Sequence, residues 1–206
     1  MDNSAVKKIR EKISELQEEF EKEIDERRKK FRYRLEQKKV IFDLEIVSRH
    51  LLQRANLRKY LRESQILVIL TVPVIYSVII PLVLMDLFIT FYQWVCFPVY
   101  QIPRVKRSEY IVMDRKYLGY LNIVQKLNCM YCEYGNGVIS YAREVAGRTE
   151  QFWCPIKHAR KVKGVHERYY DFIEYGDSDA FPEKFREQRD KCRACEISDN
   201  CASKKD

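Results

Sequence analysis

Residues 66–102 read ILVILTVPVIYSVIIPLVLMDLFITFYQWVCFPVYQI, with Asp86 as their one charged residue. Leu, Ile and Val dominate from Gln65 to Met85, and a bilayer crossing needs about 20 such residues. The whole run is too long for one straight helix across roughly 30 Å of hydrocarbon at about 1.5 Å per residue. Three arrangements accommodate it. A span can be followed by a helix in the interface, two short spans can form a tight hairpin, or a re-entrant hairpin can dip into one leaflet. In the last case the bend falls at Pro81, where the missing amide weakens the helix ladder.

The flanks help to choose. Lys and Arg set the orientation of a membrane segment, and both sides are basic here. Arg49, Arg54, Arg58, Lys59 and Arg62 precede the run; Arg104, Lys106, Arg107, Arg115 and Lys116 follow it. The sequence therefore predicts a membrane-inserted hairpin over 65–103 with both termini cytoplasmic. Asp86 then falls near the tip, in reach of water rather than at mid-membrane, where a carboxylate is costly. Tyr92, Trp94 and Tyr100 read as an interfacial aromatic belt, and Cys96 as a small apolar residue.

Working outward, the net charge of +8 lies largely beside the apolar run. Cations in that position meet anionic headgroups, at about 1 kcal/mol each near the surface. Membrane lipids are thus the expected partners, ahead of nucleic acid. Met1–Lys8 is polar and no short apolar stretch follows it, so no cleaved secretory signal is expected. No lipidation motif is expected either.

Before the run, apolar residues recur every eleven positions. Ile9, Phe20, Phe31 and Phe42 form one column, and Ile13, Ile24, Leu35 and Ile46 another; the third begins at Leu16 and continues as Arg27 and Lys38. Eleven residues in three turns is close to a relaxed helix, so the stripe holds one face. Neither Gly nor Pro occurs before Pro73. One long amphipathic helix is expected over 1–64, its stripe covered by a copy of itself, another protein or the membrane surface.

Six of the seven cysteines follow the run. Cys129-x2-Cys132, Cys154-x3-His158 and Cys192-x2-Cys195-x5-Cys201 have spacings suited to thiolates sharing an ion. In a cytosolic segment disulfides are disfavoured. Cys129, Cys132, Cys154 and His158 make a Cys3His zinc set. Cys192, Cys195 and Cys201 with an earlier cysteine such as Cys154 make an iron–sulfur set. A third pairing puts both Cys-x2-Cys pairs on one zinc. The Cys192–Cys201 spacing resembles the C-terminal iron–sulfur staple of some bacterial DNA-recombination nucleases. The stretch between Cys154 and Cys192 leaves no room for their nuclease core, so the resemblance implies no activity.

Between these cysteines Gly135-Asn136-Gly137 reads as a turn followed by a helix over Val138–Ala146. Arg143, Glu144, Arg148 and Glu150 read as a solvated face, and Tyr169, Tyr170, Phe172 and Tyr175 as core. Asp177–Pro182 reads as a loop before a last helix. No phosphate loop, activated nucleophile or carboxylate pair is evident.

The expected fold is mainly α: an N-terminal amphipathic helix, a membrane-inserted hairpin over 65–103 and a small helical Cys-rich cytosolic domain over 104–206. The expected function is a membrane-anchored interaction or adaptor protein with a metal-stabilised domain. Zinc is the expected metal, and a homo-oligomer or protein partner is expected through the N-terminal helix. The alternative is a membrane-bound iron–sulfur redox protein or enzyme.

Overall fold

The computed structural model of the chain describes residues 3–29, 33–36, 39–54, 62 and 66–194. It is mainly helical and divides into two compact units. Unit 1 joins Met1–Glu63 to Asp114–Cys129; unit 2 joins Ser64–Met113 to Met130–Asp206.

In unit 1, helix α1 (Asn3–Lys29) is followed by strands β1 (Tyr33–Glu36) and β2 (Lys39–Phe42) and by helix α2 (Leu44–Leu52). The expected continuous helix therefore stops at Lys29. The strands pair antiparallel, with Tyr33 opposite Phe42 and Leu35 opposite Val40. Two periods coincide in this segment. Phe31, Tyr33 and Leu35 alternate with Arg32, Arg34 and Glu36 at the strand period of two, and aromatic and β-branched residues suit a pleated surface. The His50 ring of α2 lies edge-on to Phe42 (4.9 Å) and Tyr120 (5.0 Å). Gly119 permits that approach: a Cβ there would lie 3.2 Å from the His50 Cβ. Residues before and after the apolar run thus pack together in one unit.

In unit 2 the apolar run forms helices α3 (Ile66–Ser77) and α4 (Ile79–Tyr100), separated by Val78, whose own backbone stays right-handed helical. Ile69–Tyr100 is long and apolar enough to cross a membrane. The helix breaks for one residue at Val78 and not at Pro81, where the re-entrant arrangement alone put its bend. Pro81 has no N–H for the Ser77 carbonyl, and it occupies the first turn of α4, where that loss is tolerated.

α4 ends in a Schellman motif: Gln101 is left-handed (φ 61°), its N–H donates to the Pro98 carbonyl, and the Ile102 N–H donates to Phe97 (2.9 Å). The chain continues through Ile102–Met113, which includes one helical turn at Arg107–Tyr110.

α5 (Ile123–Trp153) starts with a reciprocal cap in unit 1. The Asn122 N–H donates to Gln125 Oε1 (3.0 Å) and the Gln125 N–H to Asn122 Oδ1 (2.9 Å). It then runs without interruption through Gly135 and Gly137, where a turn was expected. Those glycines serve close packing. A Cβ at Gly137 would lie 2.8 Å from the Tyr110 carbonyl oxygen and 2.9 Å from Ile111 Cα.

α6 (Phe181–Ala194) follows the loop that precedes it in the sequence reading. The core of unit 2 comprises Phe97, Ile102, Val105, Tyr141, Val145, Phe152 and Cys192. Of the four aromatic residues expected in that core, Phe172 is buried and Tyr169 half-buried, while Tyr170 and Tyr175 are exposed.

Candidate functional site

α4 has its polarity inverted. Asp86, Gln93 and Phe97 share one face, at spacings of seven and four, and are buried. The opposite face exposes Leu87, Phe88, Phe91, Trp94, Val95 and Val99, with Phe88 69% and Phe91 63% exposed. A helix on a water-soluble domain shows the reverse pattern.

The buried face is a satisfied polar seam. Arg107 grips the Asp86 carboxylate with both prongs, Nε to Oδ1 at 2.8 Å and Nη2 to Oδ2 at 2.6 Å. Tyr134 of α5 donates its hydroxyl to Oδ2 at 2.9 Å. Burial, then this carboxylate, push the Tyr134 phenol above its ordinary range, so it stays a donor. The hydrogen bond to Asp86 likewise holds Arg107 protonated.

One and two turns on, Thr90 and Gln93 meet the buried Tyr141 hydroxyl. Gln93 also mimics a strand neighbour: it accepts from the Val105 N–H (3.0 Å) and donates to the Val105 carbonyl (3.2 Å). Tyr92 and Thr149 bond at 3.0 Å, and Tyr100 stacks on Phe152 at 5.0 Å. Of the expected aromatic belt, Trp94 alone stands out from the protein, 61% exposed.

A second cluster lies further along α5. Glu144 accepts from Arg148 Nε (2.8 Å) and Arg168 Nη1 (2.9 Å), and Arg148 also donates to the Pro103 carbonyl (2.6 Å). Arg148 and Arg168 are buried, not on the solvated face expected for Arg148. His166, which lacks an evident partner in sequence, lies 2.8 Å from Glu150 and packs on Gly147. Burial pushes the Tyr110 phenol up to about 12.

The expected metal ligands are dispersed. Cys129 and Cys132 lie one turn apart on α5, Cys132 exposed; Cys154 follows the far end of the same helix and is also exposed. The 22 residues from Cys132 to Cys154 span about 33 Å at ~1.5 Å per residue. His158 is exposed, its ring stacked 6.0 Å from Tyr169. The structure therefore does not bring the Cys3His set together. A turn at Gly135–Gly137 would have folded the ends of that set toward each other; a continuous helix separates them.

Cys192 sits at the Cys154 end, buried on α6, its thiol donating to the Arg148 carbonyl at 3.5 Å. Burial pushes that thiol up to about 11, so it is protonated at neutral pH. Cys195 and Cys201 lie outside the described residues. Among the described residues no three His, Cys, Asp or Glu side chains are grouped to hold a metal. Compared with protein-family profiles, curated proteins and solved structures, the chain matches none.

Proposed function

We propose that the chain is a membrane-anchored interaction protein that holds lipid from one side. The observation that carries this is the inverted α4. Its polar residues are turned inward onto Arg107, Tyr134 and Tyr141, and its large apolar residues outward. An exposed face of that size and composition is unfavourable in water and suited to acyl chains. A monotopic seat is supported by the packing of His50 against Tyr120, because these residues lie on opposite sides of the run in sequence. A single crossing would separate them. Both flanks then share one side of the membrane, as their matched basic character favours.

The interaction half of the reading is supported by the exposed stripe on α1, where Ile9, Ile13, Leu16 and Phe20 are each at least half exposed. No residue cluster in the described part has the form of a reactive centre: the Asp86 carboxylate is held by Arg107 and Tyr134, and its role is to fasten α4 to its unit.

Flotation of the full chain with liposomes containing anionic lipid tests the anchoring. The chain is expected to float, to resist high-salt washing, and to expose both ends to protease added outside. Phe88→Glu with Phe91→Glu is expected to abolish flotation while leaving the helical circular dichroism of the protein in place. A wild-type chain that stays in the aqueous fraction would sink the lipid reading; protection of one end alone would sink the monotopic one.

A further inference from the structure

We infer that the loop tip at 159–164 docks a short acidic segment of a soluble protein, on the side of unit 2 turned away from the apolar face of α4. This names a partner class for the interaction half of the proposed function, and the placement of the tip in water rests on the lipid half.

Both feet of the loop are fastened. At the first, the Lys157 N–H donates to the Ile173 carbonyl and the Ile173 N–H to the Pro155 carbonyl, both at 2.8 Å. The His158 N–H donates to the Tyr169 hydroxyl at 2.7 Å. At the second, the Val165 carbonyl accepts from Arg143, and His166 meets Glu150 at 2.8 Å and packs on Gly147. Residues 159–164 between them are all exposed, and the tip closes through left-handed Gly164 (φ 70°).

Helix α5 stands between this loop and α4. It meets α4 through Tyr134, Tyr141 and Thr149. It meets the loop through Arg143, Gly147 and Glu150, which lie about half a turn further round the helix. The exposed face of α4 is in turn opposite its own contacts with α5. Two helix thicknesses, about 20 Å at ~10 Å each, therefore part the tip from that face. An interfacial helix buries its apolar face only about 5–10 Å deep, and charges act over roughly 8 Å at physiological salt. With α4 seated in lipid, the tip stands in water.

The tip is cationic and its charge is local. Arg160, Lys161 and Lys163 have no ion-pair or hydrogen-bond partner among the described residues. Positions 160–163 span about 10 Å at ~3.3 Å per residue, and Val162 among them is 44% exposed. No acidic residue occurs from Gln151 to His166. Beyond the tip the sign reverses: Glu167 is exposed, and Glu174 beside Lys157 is 65% exposed. A nucleic acid needs a basic track along its backbone and would run onto those carboxylates. A short acidic segment carrying one apolar residue needs only the tip, its carboxylates meeting the three cations and its apolar side chain Val162.

The test is fluorescence anisotropy of a labelled Glu-Glu-Leu-Glu-Glu peptide, titrated with the full chain in neutral detergent micelles. Binding is expected on the order of a hundred micromolar at about 0.05 M salt and about fivefold weaker at about 0.5 M, since exposed charge pairs are weak and screened. The Gln-Gln-Leu-Gln-Gln peptide is expected not to bind. Arg160→Glu with Lys161→Glu and Lys163→Glu is expected to weaken binding by roughly tenfold or more, with helicity and flotation unchanged. Lys8→Glu with Lys12→Glu and Lys22→Glu makes the same change in net charge on α1 and is expected to leave binding within about threefold.

No binding by wild type, indifference to the loop reversal, or an equal loss in the α1 reversal would overturn the docking surface whether or not the chain floats. Tighter binding of an oligouridylate, lost in the loop reversal, would make nucleic acid the occupant and overturn the acidic segment. Loss of flotation in the loop reversal would put the tip at the headgroups and overturn its placement in water. A chain that fails to float yet binds the peptide through the tip would sink the lipid seat and keep the docking surface.

Discussion

Helices α1 and α4 both display large apolar side chains to their surroundings, and the difference lies in what stands behind those side chains. On α1 the stripe is narrow and runs between charged residues, and the ion pair Arg27–Glu23 beside it is wet, with the two side chains 71% and 59% exposed. On α4 the apolar surface wraps the whole outer face, and the charged residue is underneath: Asp86 is 9% exposed against Arg107 at 45%. A narrow stripe with charged borders carries directional information, which is the observation behind the proposed interaction role of α1. A broad apolar face without borders carries none, which is the observation behind the proposed lipid seat.

The sharpest way to break the comparison is to remove one cation from each ion pair. Arg107→Ala is expected to destabilise unit 2 by about 2–4 kcal/mol, because it leaves the Asp86 carboxylate desolvated beside Tyr134. Arg27→Ala is expected to cost no more than about 0.5 kcal/mol, since water replaces what the guanidinium supplied. Denaturant titration of the micelle-bound chain reads both. Replacing Asp86 and Arg107 together by Leu is expected to recover most of the first loss, which separates the cost of a stranded charge from the worth of the pair. Equal losses for Arg107→Ala and Arg27→Ala would erase the distinction between a buried and a wet bridge.

Much of this was legible in the sequence, and what was not has physical causes. The apolar run, its length and the α1 stripe rest on local periodicity, which one strand of text carries. Arg107 as the partner of Asp86 does not, because the two are brought together by the Schellman turn at Gln101, and no spacing rule links positions 86 and 107. The strands failed for a different reason. Leu35 belongs to an eleven-residue column and, with Tyr33, to a two-residue alternation, and the second prevailed there. At Gly135–Gly137 the local turn signal was outweighed by packing: a glycine costs a helix about 1 kcal/mol, and at Gly137 the close approach of Tyr110 and Ile111 offsets that. The zinc expectation rested on Cys-x2-Cys spacings and His158, which say nothing of the long continuous helix that lies between Cys132 and Cys154.

A smaller effect sharpens the comparison from the docked side. Gly137→Ala is expected to cost about 1–3 kcal/mol, because its Cβ meets backbone atoms at 2.8 and 2.9 Å that cannot step aside. Gly135→Ala, two residues earlier, meets only the Leu82 Cδ1 atom at 3.2 Å, the far end of a mobile side chain. There the gain in helix propensity, about 1 kcal/mol, is expected to balance the crowding. Thermal unfolding of the two variants should therefore separate them, with Gly137→Ala melting lower. Matched melting temperatures would mean that α5 does not lie against Tyr110 and Ile111 as described.

The smallest effect lies in the core that backs α4. Cys192 has its thiol pushed from 9.0 to about 11, chiefly by burial, so the folded chain holds that proton more tightly than the unfolded chain. The contribution is present below about pH 9 and is lost as pH rises toward about 11, because in that window the unfolded thiol ionises first and draws the equilibrium toward itself. Tyr110, raised to about 12 by its own burial, loses stability across an overlapping window, so the total slope is not diagnostic. The difference between wild type and Cys192→Ala is: wild type should lose on the order of 1 kcal/mol more between about pH 9 and pH 11. The same burial predicts that Cys132 and Cys154, both exposed, are alkylated well before Cys192 in the folded chain. Prompt labelling of Cys192 at neutral pH, or parallel pH profiles for wild type and Cys192→Ala, would mean that α6 does not close the core beneath α4. The polar seam would then be open to water from the side opposite the exposed apolar face of α4, and the contrast with α1 would weaken from within.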